Sequence, residues 1–271
     1  MAQLYFLGNS THTQMFGCVI KTQTKTIVID GGTYADSVQL IDLLEKHANC
    51  HVVAWFFTHP HHDHIGAFLE ICKSNFKIKI DKVLFNFPSL DMLKEYGIRS
   101  GKEIAQWEEF EKIITTHFSE SVTSIKAGDV FEFDEIKVNV LRVFSEKITS
   151  NFVNNSSAVY RIDSPDTRVL ILGDLGAEGG EEVMKNYNAD ALYSDYIQLA
   201  HHGQGGVSEV FYKYVKPKIC LWATPDWLWD NDKGGGFDTG PWATVTTRKW
   251  MEKLGVTEHI IAKDGTKVII I

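Results

Sequence analysis

His59-Pro60-His61-His62-Asp63-His64 sits in mid-chain, directly after Val52-Val53-Ala54-Trp55-Phe56-Phe57, a run that is apolar on both faces. A strand without a polar face is buried on both sides, so this run ends inside the protein and delivers the histidines there. Four imidazoles and a carboxylate within six residues are the usual ligand set of zinc and its neighbours. His59 and His61 are two apart, so in an extended turn they point the same way and can grip one metal. Asp63 and His64 lie further along and can turn toward a second. Two metals about 3.5–4 Å apart can clamp the attacking and leaving oxygens of a hydrolysis. A histidine-rich tag would bind metal adventitiously, but a tag is terminal and does not follow a buried strand.

Outward from this run the elements alternate without a repeat or a low-complexity stretch. Leu4–Leu7, Cys18–Ile20 and Ile27–Ile29 read as short antiparallel strands. Ile29-Asp30-Gly31-Gly32 ends the third in a tight turn, and a helix follows over about Asp36–His47. Ile65–Cys72 reads as helix, Lys82–Phe87 as strand and Lys102–Phe118 as an amphipathic helix. The second half repeats the order. Strands near Asp129–Phe133, Ile136–Val143, Ala158–Ile162 and Val169–Leu172 precede helix Gly179–Asn186. Then come strand Tyr196–Ala200, helix Val207–Tyr214, strand Ile219–Trp222, helix Trp242–Leu254, and strands His259–Ile261 and Lys267–Ile271. Strands then helices, twice over, pack most simply as two sheets face to face with helices outside, an α/β four-layer αββα sandwich. No Pro/Gly/Ser linker divides the halves, so residues 1–271 are expected to form a single domain.

His59-x-His61-x-Asp63-His64 resembles the H-x-H-x-D-H signature of the metallo-β-lactamase superfamily, and Val28-Ile29-Asp30-Gly31-Gly32 resembles the strand and turn that approach its site. Leu170-Ile171-Leu172-Gly173-Asp174 resembles the family's L-x-G-D. Leu199-Ala200-His201-His202-Gly203 resembles the HHG motif of one branch, which holds the hydrolase-like domains of competence DNA-uptake proteins and the choline-phosphate esterases of bacterial surfaces. Ala262-Lys263-Asp264-Gly265-Thr266 resembles that branch's closing hairpin. The resemblance covers nearly the whole chain. It implies that His59 and His61 bind a first metal, that Asp63 and His64 bind a second, and that Asp174 bridges. Either His201 or His202 completes the second metal, and the other faces substrate as a donor. Asp63, His201 and His202 are the expected catalytic set.

One feature departs from the family pattern. Many members carry a further histidine before the bridging aspartate; here the corresponding place is Asn154-Asn155-Ser156-Ser157, as in the competence-protein branch. The first metal is then held by His59, His61 and Asp174, with water or an asparagine oxygen. Two divalent metal ions are expected as cofactors, zinc first and manganese or iron as alternatives.

The expected reaction is hydrolysis of a phosphodiester or other small ester-like substrate by a hydroxide formed on the metal. The alternatives are a nuclease-like enzyme and a metal-binding scaffold without turnover. No G-x-S-x-G elbow and no phosphate-binding G-x-x-x-x-G-K-[ST] loop is present, which turns the reading away from serine and ATP chemistry. The net charge of −8 repels polyphosphates, so a small-molecule substrate is expected over nucleic acid. The four cysteines form no C-x-x-C pair, which suits a reduced compartment. No apolar run approaches a membrane span of ~20 residues, and the N-terminus has no positive region ahead of an apolar one; a cytoplasmic location is expected. Asp30 is expected to orient the histidine loop, and His12, in an N-terminal polar loop, is expected to be a surface histidine. Trp227-Leu228-Trp229 followed by Gly234-Gly235-Gly236 reads as a surface loop over packed aromatic residues, with a mobile cover over the metals as the alternative.

Overall fold

The computed structural model describes residues 1–74, 78–97 and 100–271. Two seven-stranded sheets dominate it. The first runs in spatial order Lys267–Ile270, Gln3–Phe6, Gly17–Lys21, Thr26–Asp30, Ala54–Phe56, Val83–Phe85 and Val122–Ser124. The second runs Val130–Phe133, Ile136–Arg142, Val159–Asp163, Arg168–Ile171, Tyr196–Gln198, Ile219–Trp222 and Glu258–Ile261. In each sheet the first four strands pair antiparallel and the rest parallel. The switch falls at Thr26–Asp30 in one sheet and at Arg168–Ile171 in the other.

Parallel neighbours need a crossover, and the helices supply it. Ser37–Ala48, His62–Lys73 and Gly101–His117 cover the outer face of the first sheet; Ala177–Asn186, Glu209–Val215 and Thr244–Lys253 cover that of the second. The alternation of side chains makes three apolar layers. Leu4, Phe6, Ile27, Ile29, Ala54 and Phe56 point between the sheets and meet Val138, Tyr160, Ile162 and Ile171. Their neighbours Tyr5, Val28, Trp55 and Phe57 point outward into the helices. On the far side Val159, Leu170, Ile197 and Trp222 pack against Val183, Phe211 and Met251. Helices, sheet, sheet and helices are the expected four layers.

The structure differs from the sequence reading in places that follow from edges and caps. The apolar run Val52–Phe57 is not one strand. His51–Val52 pairs with Lys79–Ile80 in a small separate sheet, and only Ala54–Phe56 joins the large one. Val53 breaks the run because its N–H turns to Thr26 O, at 2.9 Å. The helix expected from Ile65 begins at His62 with His61 as its N-cap, so Asp63 and His64 lie in its first turn. Strand Val122–Ser124 and helix Leu90–Tyr96 were not foreseen; the strand is a sheet edge with partly exposed side chains, so it carries no apolar signature. No described helix is long and apolar enough to cross a membrane.

Candidate metal centre

The functional side chains gather at the carboxyl ends of the fourth and fifth strands of both sheets, where pairing switches from antiparallel to parallel. Crevices at such switch points are where open α/β sheets bind ligands. From the first sheet come Asp30, ending Thr26–Asp30, and Thr58 to His64, following Ala54–Phe56. From the second come Asp174, just after Arg168–Ile171, and His201-His202, just after Tyr196–Gln198. Asp30, His201 and His202 all have left-handed backbones, with φ of 54°, 52° and 53°. Such conformations are costly for residues with a Cβ and persist where the surroundings enforce them, which is common at functional sites.

Two groups of side chains converge, each with its candidate ligand atoms within 4.8 Å of one another: His59, His61 and Asp174, and Asp63, His64 and His202. His59 Nε2 lies 2.9 Å from His61 Nδ1 and 3.6 Å from Asp174 Oδ2. His202 Nε2 is 3.2 Å from Asp63 Oδ2 and 3.5 Å from Asp174 Oδ2, while His64 Nε2 is 3.2 Å from Asp174 Oδ1. The Asp174 carboxylate therefore touches both groups.

The hydrogen bonds around the rings decide which nitrogens face inward. Thr58 gives its hydroxyl hydrogen to Asp30 Oδ2 at 2.6 Å, so its oxygen can only accept from His59 Nδ1, at 3.1 Å. His64 Nδ1 donates to Asp30 Oδ2 at 2.7 Å, and His202 Nδ1 donates to the carbonyl of Ala223 at 2.9 Å. All three rings thus present Nε2 to the centre. Second partners that fix ring orientation in this way are the rule around metal-binding histidines.

The residues fit divalent cations. His64 Nε2, His202 Nε2 and Asp174 Oδ1 are buried and make no hydrogen bond, although each has an oppositely charged neighbour within 3.5 Å. They aim at shared space rather than at one another. Buried polar atoms are rarely left unpaired, and a cation between them satisfies all three. The electrostatics agree. Burial alone would raise the Asp174 carboxyl, but His202, His64 and His59 hold it well below the usual carboxylate range. Burial would lower His202, yet Asp174 and Asp63 push it up to about 9. Burial and the neighbouring His64 keep His59 well below the usual imidazole value. Positive charge is thus called for at the carboxylates.

His59, His61, Asp63, His64 and Asp174 converge, and the structure places the two histidines that the sequence leaves as alternatives differently. His202 belongs to the second group and His201 to neither. His201 Nδ1 is buried without a partner, and the ring stands close enough to His61 to oppose its protonation. Asp30 orients the loop as expected, accepting from the Thr58 N–H at 2.8 Å as well as from the Thr58 hydroxyl and His64. Asn155 is committed elsewhere. Its oxygen accepts from Gly176 and Gly179 N–H at the start of helix Ala177–Asn186, and its nitrogen donates to Ser150 O and Glu178. Ser157 Oγ accepts the Asp174 N–H.

The N-terminal loop reaches the centre through Gln14 rather than His12. Gln14 Nε2 donates to Asp63 Oδ2 at 3.3 Å, and Gln204 Nε2 donates to Gln14 Oε1 at 3.0 Å. Neither glutamine is visible in the sequence, because an amide carries no metal signature. The His12 carbonyl accepts from Trp227 Nε1 instead. In the glycine-rich loop Asp232 accepts from Gly234 and Gly236 N–H, and Arg248 pairs with Asp238 while covering the rings of Trp229 and Phe237, in line with the aromatic packing expected there.

A model of the metallo-beta-lactamase superfamily matches residues 18–219. ComE operon protein 3 of Bacillus subtilis (strain 168) is 26% identical over 172 residues, covering 62% of this chain and 19% of that protein; the chain spans about a fifth of its relative's length. Among solved structures, the metallo-beta-lactamase fold protein YhfI from Bacillus subtilis is similar over 100% of both chains, at 13% identity and a TM-score of 0.57. Zn(2+)-bound PqqB from Methylobacterium extorquens is similar over 100% of both chains, at 8% identity and a TM-score of 0.56. At these identities the likeness is one of fold.

Proposed function

The chain belongs to the metallo-beta-lactamase superfamily, and we propose that it is a metal-dependent hydrolase with two metal positions, acting on a phosphodiester or another small ester-like substrate. The observation that carries this reading is the convergence of His59, His61 and Asp174 beside Asp63, His64 and His202, with His64 Nε2, His202 Nε2 and Asp174 Oδ1 buried and unpaired. In this reading His59 and His61 hold the first cation, Asp63, His64 and His202 the second, and Asp174 both. Divalent cations bound there would supply Lewis acidity and a water acidified toward neutral pH. Zinc suits the imidazole-rich set, and manganese or iron are compatible with it.

The chain's own residues do the rest. Asp30 and Thr58 fix His64 and His59 through their Nδ1 atoms, and Ala223 O fixes His202, so no reorganisation is needed as charge develops. His201, outside both ligand groups, is the donor to the substrate oxygen that gains negative charge. His59, His61 and Asp174 serve the first position, while Asp63, His64 and His202 together with Asp174 serve the second, so the first binds its cation more weakly. The net charge of −8 favours a small molecule over nucleic acid.

The test is metal content per chain, measured by elemental analysis on wild type and Asp174→Ala, together with turnover of bis(p-nitrophenyl) phosphate. About two metals in wild type, falling sharply in the variant with loss of turnover, is the expected result. One metal or none, unchanged by the substitution and without turnover, sinks the proposal.

A further inference from the structure

Asp174 and His202 follow two neighbouring parallel strands, Arg168–Ile171 and Tyr196–Gln198. The last register pair of these strands is Leu170 with Ile197. Both ligands therefore lie beyond the end of the ladder, where the sheet itself no longer fixes their separation. One side chain carries the connection further. Gln198 is fully buried, and main-chain groups use its whole amide. Its Oε1 accepts the Leu172 N–H at 2.8 Å. Its Nε2 donates to Gly173 O at 3.1 Å and to Leu199 O at 2.7 Å. Leu172 and Gly173 lead directly into Asp174, and Leu199 leads through Ala200 into His201 and His202. Gly173 O also accepts the His201 N–H at 3.0 Å, so one carbonyl holds both the glutamine and the histidine loop.

Packing alone does not call for an amide at this place. Side chains two apart on a strand share a face, and Tyr196, two before Gln198, packs into the apolar layer between the sheets. An apolar side chain of the same length would fill the same volume, whereas a buried amide is costly unless it is hydrogen-bonded. What the amide adds is direction. Its oxygen and its two N–H groups lie in one plane, and three bonds from that plane fix Leu172 and Gly173 relative to Leu199. The reversed amide would set its N–H groups against the Leu172 N–H and its oxygen against the two carbonyls, so only one orientation is satisfied. Support of this kind behind the ligands holds a metal site to its working geometry.

We infer that Gln198 is a positioning residue of the metal centre: its amide clamps the turn before Asp174 to the loop before His202 and so sets the separation of these two ligands. The inference rests on the ligand assignment of the hydrolase reading above. Gln198 touches neither a ligand side chain nor substrate, and acts only through the two main-chain segments that it joins.

The test is calorimetric titration of zinc into chelator-stripped wild type, Gln198→Met and Gln198→Glu, with the absorption spectrum of the cobalt(II)-loaded proteins as a second readout. Gln198→Met keeps the length and loses all three bonds; Gln198→Glu keeps the acceptor for Leu172 and loses both donors. Val138→Ala is the control, since it opens a cavity in the same apolar layer on a strand where its neighbours are Phe131 and Ile162. Melting temperature and circular dichroism show which variants are folded. The expected result is that the tighter zinc step weakens about 10–100-fold in each folded Gln198 variant, with an altered cobalt spectrum, while Val138→Ala loses stability and keeps the wild-type affinity and spectrum. Wild-type affinity in a folded Gln198 variant, or an equal loss in Val138→Ala, would overturn the inference. Failure of both Gln198 variants to fold would overturn it too, by making the amide a requirement of the fold rather than of the centre. Zinc binding that depends on Gln198 without turnover of bis(p-nitrophenyl) phosphate in wild type would leave the clamp standing and remove the hydrolase reading. Turnover with affinity indifferent to Gln198 would do the reverse, and a wild type that binds no metal would remove both.

Discussion

Asp30 Oδ2 and His64 Nδ1 lie 2.7 Å apart with both side chains fully buried. The same carboxylate accepts from the Thr58 N–H and hydroxyl, and its residue holds a left-handed φ of 54°. Asp30 therefore ties the end of one strand to the loop after the next and aims His64 Nε2 inward. Asp30→Asn keeps a residue that tolerates this φ but loses the charge. Metal affinity is expected to fall about 10–100-fold, as when outer partners of metal ligands are removed. A metal titration that gives the wild-type affinity would show that His64 needs no such anchor.

Gln14 and Gln204, 190 positions apart in the chain, meet beside Asp63. Each bond is partly exposed, so each contributes roughly 1 kcal/mol, and the two act in series. Gln14→Ala is expected to lower kcat/KM about threefold to tenfold by freeing Asp63. Gln204→Ala should have a smaller effect, and the double variant should be no worse than Gln14→Ala alone. Strictly additive losses would mean that the glutamines do not act through one another.

The metal motif was legible because chemistry and spacing are both local: His59, His61, Asp63 and His64 follow a strand whose composition alone says that it is buried. The four layers were legible from strand and helix periodicity. The assignment of His202 over His201 was not, since adjacent identical side chains differ only in the direction their backbone gives them; both sit at positive φ, which no pattern announces. Gln14 was not legible because its partner Asp63 is 49 positions away and Gln204 a further 141. The glycine-rich loop was legible only in outline: its composition announces packed aromatic residues, while the contacts of Asp232 and Arg248 are ones that composition does not contain.

Asn155 stands in the segment where a further histidine ligand was sought, and its amide is fully used. Asn155→Ala would leave the N–H groups of Gly176 and Gly179 without their acceptor in a buried place. A loss of about 2–3 kcal/mol is expected, from the desolvation cost of unpaired donors. Asn155→His should also destabilise and should add no metal, because Gly176 and Gly179 pack too closely against this side chain to admit a ring: a Cβ at either glycine would meet Asn155 Oδ1 at 2.7 Å and 2.9 Å. Chemical denaturation and elemental analysis of the two variants check both statements. A stable Asn155→His that gains metal would show that the position faces the first metal after all.

The residue after His202 is a glycine that the packing requires. Gly203 has a φ of +79°, and a Cβ there would lie 2.5 Å from the ring of Trp222. That ring is buried and held by a hydrogen bond to His259 and by the edge of Trp229, so it cannot give way cheaply. Gly255 has a similar φ of +75° with open space around it, which separates the two causes. Gly255→Ala should cost only the left-handed backbone term, about 1 kcal/mol. Gly203→Ala should cost that and about 1–3 kcal/mol more for overpacking. The excess displaces His202, whose carbonyl is held by Thr224 Oγ1 at 2.7 Å, and metal content should fall with it. Equal losses of stability in the two variants, with metal retained in Gly203→Ala, would show that Trp222 does not set the position of His202.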